Sequence, residues 1–262
     1  MLVIGELING MYKAVGKAIA ERDKNVIQKV AKDQIAAGAG MLDVNTGPYE
    51  KNPKDAMKWL VETIQEVTEA PLAFDSTKPD VIEEGLKLAK KKAMINSTNS
   101  DDEKLNVLVP MAKKYNASLI GLTMGKSGIP RDKNQRLEHA VKIVTKCQET
   151  GFDISNLYLD PIVLPVNVAQ AQGVEVLESI REFKLLCDPA PKTVVGLSNA
   201  SQGSKQRPLI NRIFLVMAVA NGLTAAIMDP LDKDLMDAAI TAELVLNKNI
   251  YCDSFLEAYR EK

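Results

Sequence analysis

The chain has 262 residues, with 33 Lys and Arg against 34 Asp and Glu, a net charge of -1. That balance argues against a nucleic-acid binder, which needs a basic surface. No apolar run approaches the roughly 20 residues required to cross a bilayer, so no membrane association is expected.

The segments alternate in chain order. An apolar run at 2–9 (LVIGELIN) is followed by helical periodicity through 11–38, and a second run at 40–48 (GMLDVNTGP) by a helix from 55 to 69. The third run, 71–77 (PLAFDST), precedes a helix over 80–91, and the fourth, 93–99 (AMINSTN), a helix over 101–116. The fifth, 118–124 (SLIGLTM), precedes a helix over 135–151, and the sixth, 157–165 (LYLDPIVLP), one over 174–188. The seventh, 193–199 (TVVGLSN), leads to a helix from 207, and the eighth, 223–230 (LTAAIMDP), to one over 234–249. Short apolar runs separated by helices of this length imply parallel strands with right-handed crossovers. Eight such units in one chain without a Pro- or Gly-rich linker predict a single α/β domain, a (β/α)8 TIM barrel spanning residues 1–262. An open doubly wound sheet would carry a GxGxxG turn after its first strand, and GELINGMYK lacks it.

Glu6 interrupts the N-terminal apolar run, which therefore does not read as a signal peptide. Cys147, Cys187 and Cys252 are widely spaced and form no CxxC or zinc pattern, so a reducing cytoplasm is the expected compartment. His139, the only histidine, falls in a helical pattern and reads as a helix-surface residue. Catalysis by a His base and a His-rich metal site are accordingly not expected. Met217, Met228 and Met236 read as packing residues, and Lys184 as a surface lysine.

A TIM barrel builds its site at the C-terminal ends of its strands. This sequence places there Glu6 and Asn9, Asp43 and Asn45, Asp75, Asn96 with Ser97 and Asn99, Thr123 and Met124, Asp160, Asn199 and Asp229. A single strand-end Asp or Asn can equally cap the next helix, and Asp101 and Asp232 sit better for that. A whole ring of carboxylates and amides suggests recognition of a flat heterocycle rich in N–H groups and ring nitrogens, such as a pterin. Asp43 and Asn45 share a strand face, with Glu6 one strand away. They form either a polar floor that supports a ligand or cation, or a buried network that closes the barrel. Past the seventh strand, Gln202 and Arg207 can reach back over the mouth, Arg207 to a carboxylate or an aromatic ring.

The stretches LDVNTGP, AFDST, MINSTN, YLDPIVLP, PAPKTVVGLSNASQG and RPLINRIFL together resemble the pterin-binding methyltransferases, in particular the methyltetrahydrofolate:corrinoid/iron–sulfur protein methyltransferases. The resemblance spans the chain and implies the barrel fold independently. It implies that Asp75, Asn96 and Asp160 hydrogen-bond the pterin edge, that Asn199 approaches the methyl-bearing nitrogen as the catalytic residue, and that Gln202 and Arg207 lie near the folate. The implied substrate is tetrahydrofolate or methyltetrahydrofolate. The chain has no DxHxxG cobalamin motif, so the corrinoid (cobalamin) would come on a partner, a corrinoid protein in transient docking. A homodimer is also implied, and the pathway is left between acetyl-CoA formation and O-demethylation. A dihydropteroate-synthase-like enzyme would need cations for a diphosphate, for which Lys126 and Arg131 are the candidates. A non-catalytic folate-binding module is the third reading.

Overall fold

In a computed structural model the described residues are 1–48 and 50–260. Eight parallel strands close into a barrel in chain order, β1 next to β8. They are β1 (Leu2–Asn9), β2 (Met41–Asn45), β3 (Leu72–Asp75), β4 (Met94–Asn99), β5 (Ser118–Leu122), β6 (Leu157–Asp160), β7 (Lys192–Gly196) and β8 (Ala225–Met228). This is the (β/α)8 barrel that the alternation of segments predicts.

The first helical pattern is broken in two, α1 (Lys13–Glu21) and α2 (Lys24–Ala36). Arg22 takes a left-handed conformation, φ 57°, and Asp23 starts the second helix by accepting the Asn25 N–H at 3.0 Å. Neither Gly nor Pro marks the break. The bend is held from outside, by Arg22 Nη2 on Asp55 Oδ2 at 2.7 Å and its guanidinium over the Trp59 ring. The other connections are α3 (Pro53–Gln65), α4 (Pro79–Leu88), α5 (Asp102–Lys114), α6 (Lys133–Glu149), the short α7 (Val166–Ala169) with α8 (Gln172–Phe183), and α9 (Arg207–Ala220). After β8 come α10 (Lys233–Val245) and α11 (Phe255–Arg260). Pro begins α3, α4 and α9 in the first turn, where its missing N–H costs nothing.

Alternate side chains of each strand point in and out. The outward set, including Leu42, Phe74, Ile95, Leu119 and Val195, packs under the helices in the main core. The inward set closes the barrel with one residue per strand: Ile4, Met41, Ala73, Met94, Ile120, Tyr158, Val194 and Ala225. This layer is the floor under the mouth.

Four expectations are corrected. Met228 and Met236 are buried, but Met217 lies 47% exposed on α9, because that side of the helix has no covering element among the described residues. Asp232 caps α10 through the Leu235 N–H, whereas Asp101, at the cap position of α5, makes no cap bond. Its carboxylate instead accepts from Asn99 Nδ2 and Lys126 N, tying together the loops after β4 and β5. His139 is half-buried rather than on the open surface, with Nδ1 2.6 Å from the Ser100 hydroxyl. Burial lowers its pKa, and it does not line the cavity described below. Asn199 is not on β7, which stops at Gly196, but on the 3-10 turn Leu197–Ser201 that follows.

Candidate functional site

One step of two residues beyond the apolar floor, each strand presents its next inward side chain. From β1 to β8 these are Glu6, Asp43, Asp75, Asn96, Leu122, Asp160, Gly196 and Ile227. The period of a strand thus turns an apolar layer into a polar one in a single step. All but Leu122 line one cavity of about 440 Å³ at the C-terminal mouth. Asn9, Ser198, Asn199, Gln202, Arg207, Met11 and Tyr12 complete its wall. Of the residues placed at the strand ends from the sequence, Ser97, Asn99, Thr123, Met124 and Asp229 do not line this cavity, and of the proposed floor neither does Asn45. It faces an adjoining one, and its Nδ2 donates to Asp75 Oδ2 at 2.6 Å.

The polar layer is internally braced. Asn96 Nδ2 donates to Asp43 Oδ1 at 3.0 Å. Ser198 Oγ donates to Glu6 Oε1 at 2.7 Å, which links the loop after β7 to β1. Asp160 Oδ1 accepts the Ile162 N–H at 2.7 Å, in a turn where Ile162 has φ 65°. Asn9 Oδ1 accepts the Met11 N–H. Among the described residues Arg207 pairs with no carboxylate: its Nε donates to Ser201 Oγ and its Nη2 to the Ser198 carbonyl. It thereby shapes the loop that carries Ser198 and Asn199.

Burial dominates the electrostatics. It raises Asp43 well above the usual carboxylate range, with repulsion from Asp75 adding to the shift. It raises Asp75 against the bond from Asn45, and Glu6 against the bond from Ser198. Asp160 is pushed up by burial to about 7, against the Ile162 N–H and the charge of Arg136. Tyr12 rises to about 12, through burial and the charge of Glu6. Carboxyls held near neutrality can donate as well as accept, which suits a ligand edge that alternates N–H and ring nitrogen.

Asn199 differs from the rest. It is exposed, and among the described residues its side-chain amide has no hydrogen-bond partner. Its Nδ2 stands 2.9 Å from where a Cβ on Gly196 would be. Glycine at the end of β7 therefore leaves the gap in the polar layer that Asn199 leans into.

Sequence reasoning did not single out Tyr12, Met11, Ser198, Gly196 or Ile227. Gly196 and Ile227 were legible in the two-residue step from Val194 and Ala225, while Tyr12 and Met11 precede α1 and read as helix. Lys126 pairs with Glu103, and neither it nor Arg131 lines the cavity, where Arg207 is the one cation among the described residues. Among the described residues no group of three or more His, Cys, Asp or Glu is arranged to hold a metal ion, and no helix is long and apolar enough to cross a membrane.

Several known proteins are similar to this chain. A methylcorrinoid:tetrahydrofolate methyltransferase of Eubacterium limosum is 29% identical over 266 residues, covering 100% of this chain and 97% of its own. A methionine synthase of Mycobacterium leprae is 28% identical over 241 residues, covering 87% of this chain but 20% of that much longer protein. In fold, a dihydropteroate synthase from Coxiella burnetii in complex with pteroic acid superposes with a TM-score of 0.72 at 17% identity, covering 95% of this chain and 94% of that one. A Yersinia pestis dihydropteroate synthase with a pterine–sulfa conjugate gives 0.67 at 18% identity, with 94% of each chain covered. The family model for pterin binding enzymes matches residues 13–229, which hold the seven strands β2 to β8, and the chain belongs to the pterin binding enzyme family.

Proposed function

We propose that this protein transfers a methyl group between the N5 nitrogen of a tetrahydrofolate and the cobalt of a corrinoid carried by a partner protein. The observation that carries the reading is the polar layer itself: Asp75, Asn96 and Asp160 share one cavity with the unbonded amide of Asn199. Similarity over the full chain to a methylcorrinoid:tetrahydrofolate methyltransferase supports it. The direction in that relative's name, from methylcorrinoid to tetrahydrofolate, is the one we favour, which would serve O-demethylation rather than acetyl-CoA formation.

A cavity of about 440 Å³ falls in the range of small-molecule sites and suits a pterin. Its rim is open to a large partner, with Met11 72% exposed and Tyr12 43% exposed. The corrinoid, when its carrier is docked, supplies the metal centre that gives or takes the methyl group. The protein's own task is to bind and orient the pterin and to manage charge on N5. Asp75, Asn96 and Asp160 hold the ring edge. When the N5–methyl bond breaks, the electron pair stays on nitrogen, which then departs as a poor leaving group unless a donor meets it. Asn199 donates a hydrogen bond to that nitrogen, which takes up a proton from solvent as the methyl leaves. In the reverse direction that bond is released and the N5 lone pair attacks the methyl carbon. The pair of the broken bond stays with the corrinoid, and the N5 proton is lost to solvent. No side-chain nucleophile is required, consistent with the absence of His, Cys and Lys from the cavity wall among the described residues.

The dihydropteroate-synthase-like reading finds little support. A diphosphate calls for several cations, and Arg207 is already bonded to Ser201 and Ser198. Pairing of two copies and a cytoplasmic location belong to the same proposal, and sedimentation velocity tests the first. The decisive assay follows methyl transfer spectrophotometrically, from methylcobalamin to tetrahydrofolate and from methyltetrahydrofolate to reduced cobalamin. Turnover in both directions is expected, and tight folate binding with turnover in neither would overturn the proposal in favour of a binding module.

A further inference from the structure

Behind the polar layer lies a buried arginine that the reaction as drawn does not use. Arg136, on α6, is 0% exposed. Its Nε donates to the Pro161 carbonyl at 2.6 Å and its Nη2 to Gln172 Oε1 at 2.8 Å. Gln172 is itself held by the Arg131 carbonyl at 2.7 Å. Nη1 is buried without a hydrogen-bond partner. Among the described residues no carboxylate lies within ion-pair distance of this guanidinium. A buried cation bonded only to neutral oxygens is expensive, and where space-filling is all that is needed an apolar side chain of the same size does better.

We propose that Arg136 is a positioning residue of the site: it clamps the Pro161 carbonyl and so fixes the turn that aims Asp160 into the cavity. That turn needs holding. Ile162 is β-branched yet sits at φ 65°, a region such residues avoid. Its N–H orients the Asp160 carboxylate. On the β5 side, Thr123 holds the Asp160 carbonyl twice, through N and Oγ1. Arg136 supplies the anchor from the α6 side, one residue further on. Because it bonds the peptide and not the carboxylate, it leaves Asp160 free for a ligand while its charge still favours the ionised form. The charges facing Arg136 are Asp132 at the start of α6, Glu175 of α8 and Asp160 of β6. On its cavity side Asp160 shares the wall with Glu6, Asp43 and Asp75.

The test uses the full-length protein and Arg136→Met, alone and combined with Asp160→Asn. The Asp160 carboxyl is titrated by ¹³C NMR without ligand, its resonance assigned by its loss in Asp160→Asn. Its midpoint, near 7 in the native protein, is expected to rise by about one pH unit in Arg136→Met. Tetrahydrofolate affinity by calorimetry should fall about tenfold in the otherwise native chain, and by less than about twofold in the Asp160→Asn background. An unmoved titration, or the same tenfold loss in both backgrounds, would overturn the clamp and leave Arg136 a purely structural residue. If circular dichroism shows Arg136→Met unfolded, Gln172→Met loosens the clamp from its outer side. An affinity loss of about threefold that vanishes with Asp160→Asn then supports the clamp, and no loss overturns it. The affinity arm rests on the functional reading above, but the titration does not: a native protein that bound no tetrahydrofolate would sink that reading while the NMR result still judged Arg136.

Discussion

Replacing Asp160 with Asn should make this protein more stable and a poorer binder, and the stability gain should grow with pH. The carboxyl is buried at the end of β6, and burial outweighs both the Ile162 N–H and the charge of Arg136, raising its pKa from 3.8 to about 7. Below 3.8 the carboxyl is protonated in native and unfolded chains alike, and its burial carries no ionic penalty. Between 3.8 and about 7 the native state holds the extra proton, so rising pH favours unfolding; above about 7 the penalty is complete. At 1.36 kcal/mol per pH decade, it reaches about 4 kcal/mol at pH 8. Asn removes the ionisation and keeps an oxygen for the Ile162 N–H. In urea titrations the advantage of Asp160→Asn should therefore be larger at pH 8 than at pH 5 by about 2–3 kcal/mol, with m unchanged. Calorimetry should show tetrahydrofolate binding weaker by about 1–3 kcal/mol, since a charged acceptor for the ring edge is lost. A stability difference that is the same at both pH values, or that favours the native protein more at pH 8, would refute the reasoning.

Asn199→Ala should lower the rate of methyl transfer by about 10²–10³, as removal of a donor to developing charge does elsewhere, while folate affinity changes far less. Stopped-flow kinetics with either cobalamin substrate decides this, and a larger effect on binding than on rate would remove Asn199 from catalysis. Gly196→Ala places a methyl group 2.9 Å from Asn199 Nδ2, so that amide must swing away. Transfer should fall by about tenfold or more with a near-native melting temperature, because β7 keeps its outward core residues Thr193 and Val195. An unchanged rate would show that the position of the Asn199 amide does not matter.

Much of this could be seen before any coordinates. Alternating apolar runs and helical segments determine a parallel barrel, because eight parallel strands with crossover helices have few other ways to bury both faces. The carboxylates and amides at the strand ends then fall at one mouth by topology alone, and Asp43, Asp75, Asn96 and Asp160 line a single cavity. What the sequence left undetermined was decided by contacts between distant segments. The break at Arg22–Asp23 follows from Asp55 and Trp59 on α3, which no local pattern announces. Ser198 reaches Glu6 across 192 residues, and Asn199 occupies the space that Gly196 leaves empty. Protonation belongs to the same category: whether Asp160 is acid or carboxylate at neutral pH depends on how much water surrounds it and on the arginine behind it, and both are properties of packing. Periodicity along one chain specifies which way a side chain points, but only the closed barrel determines which others it meets.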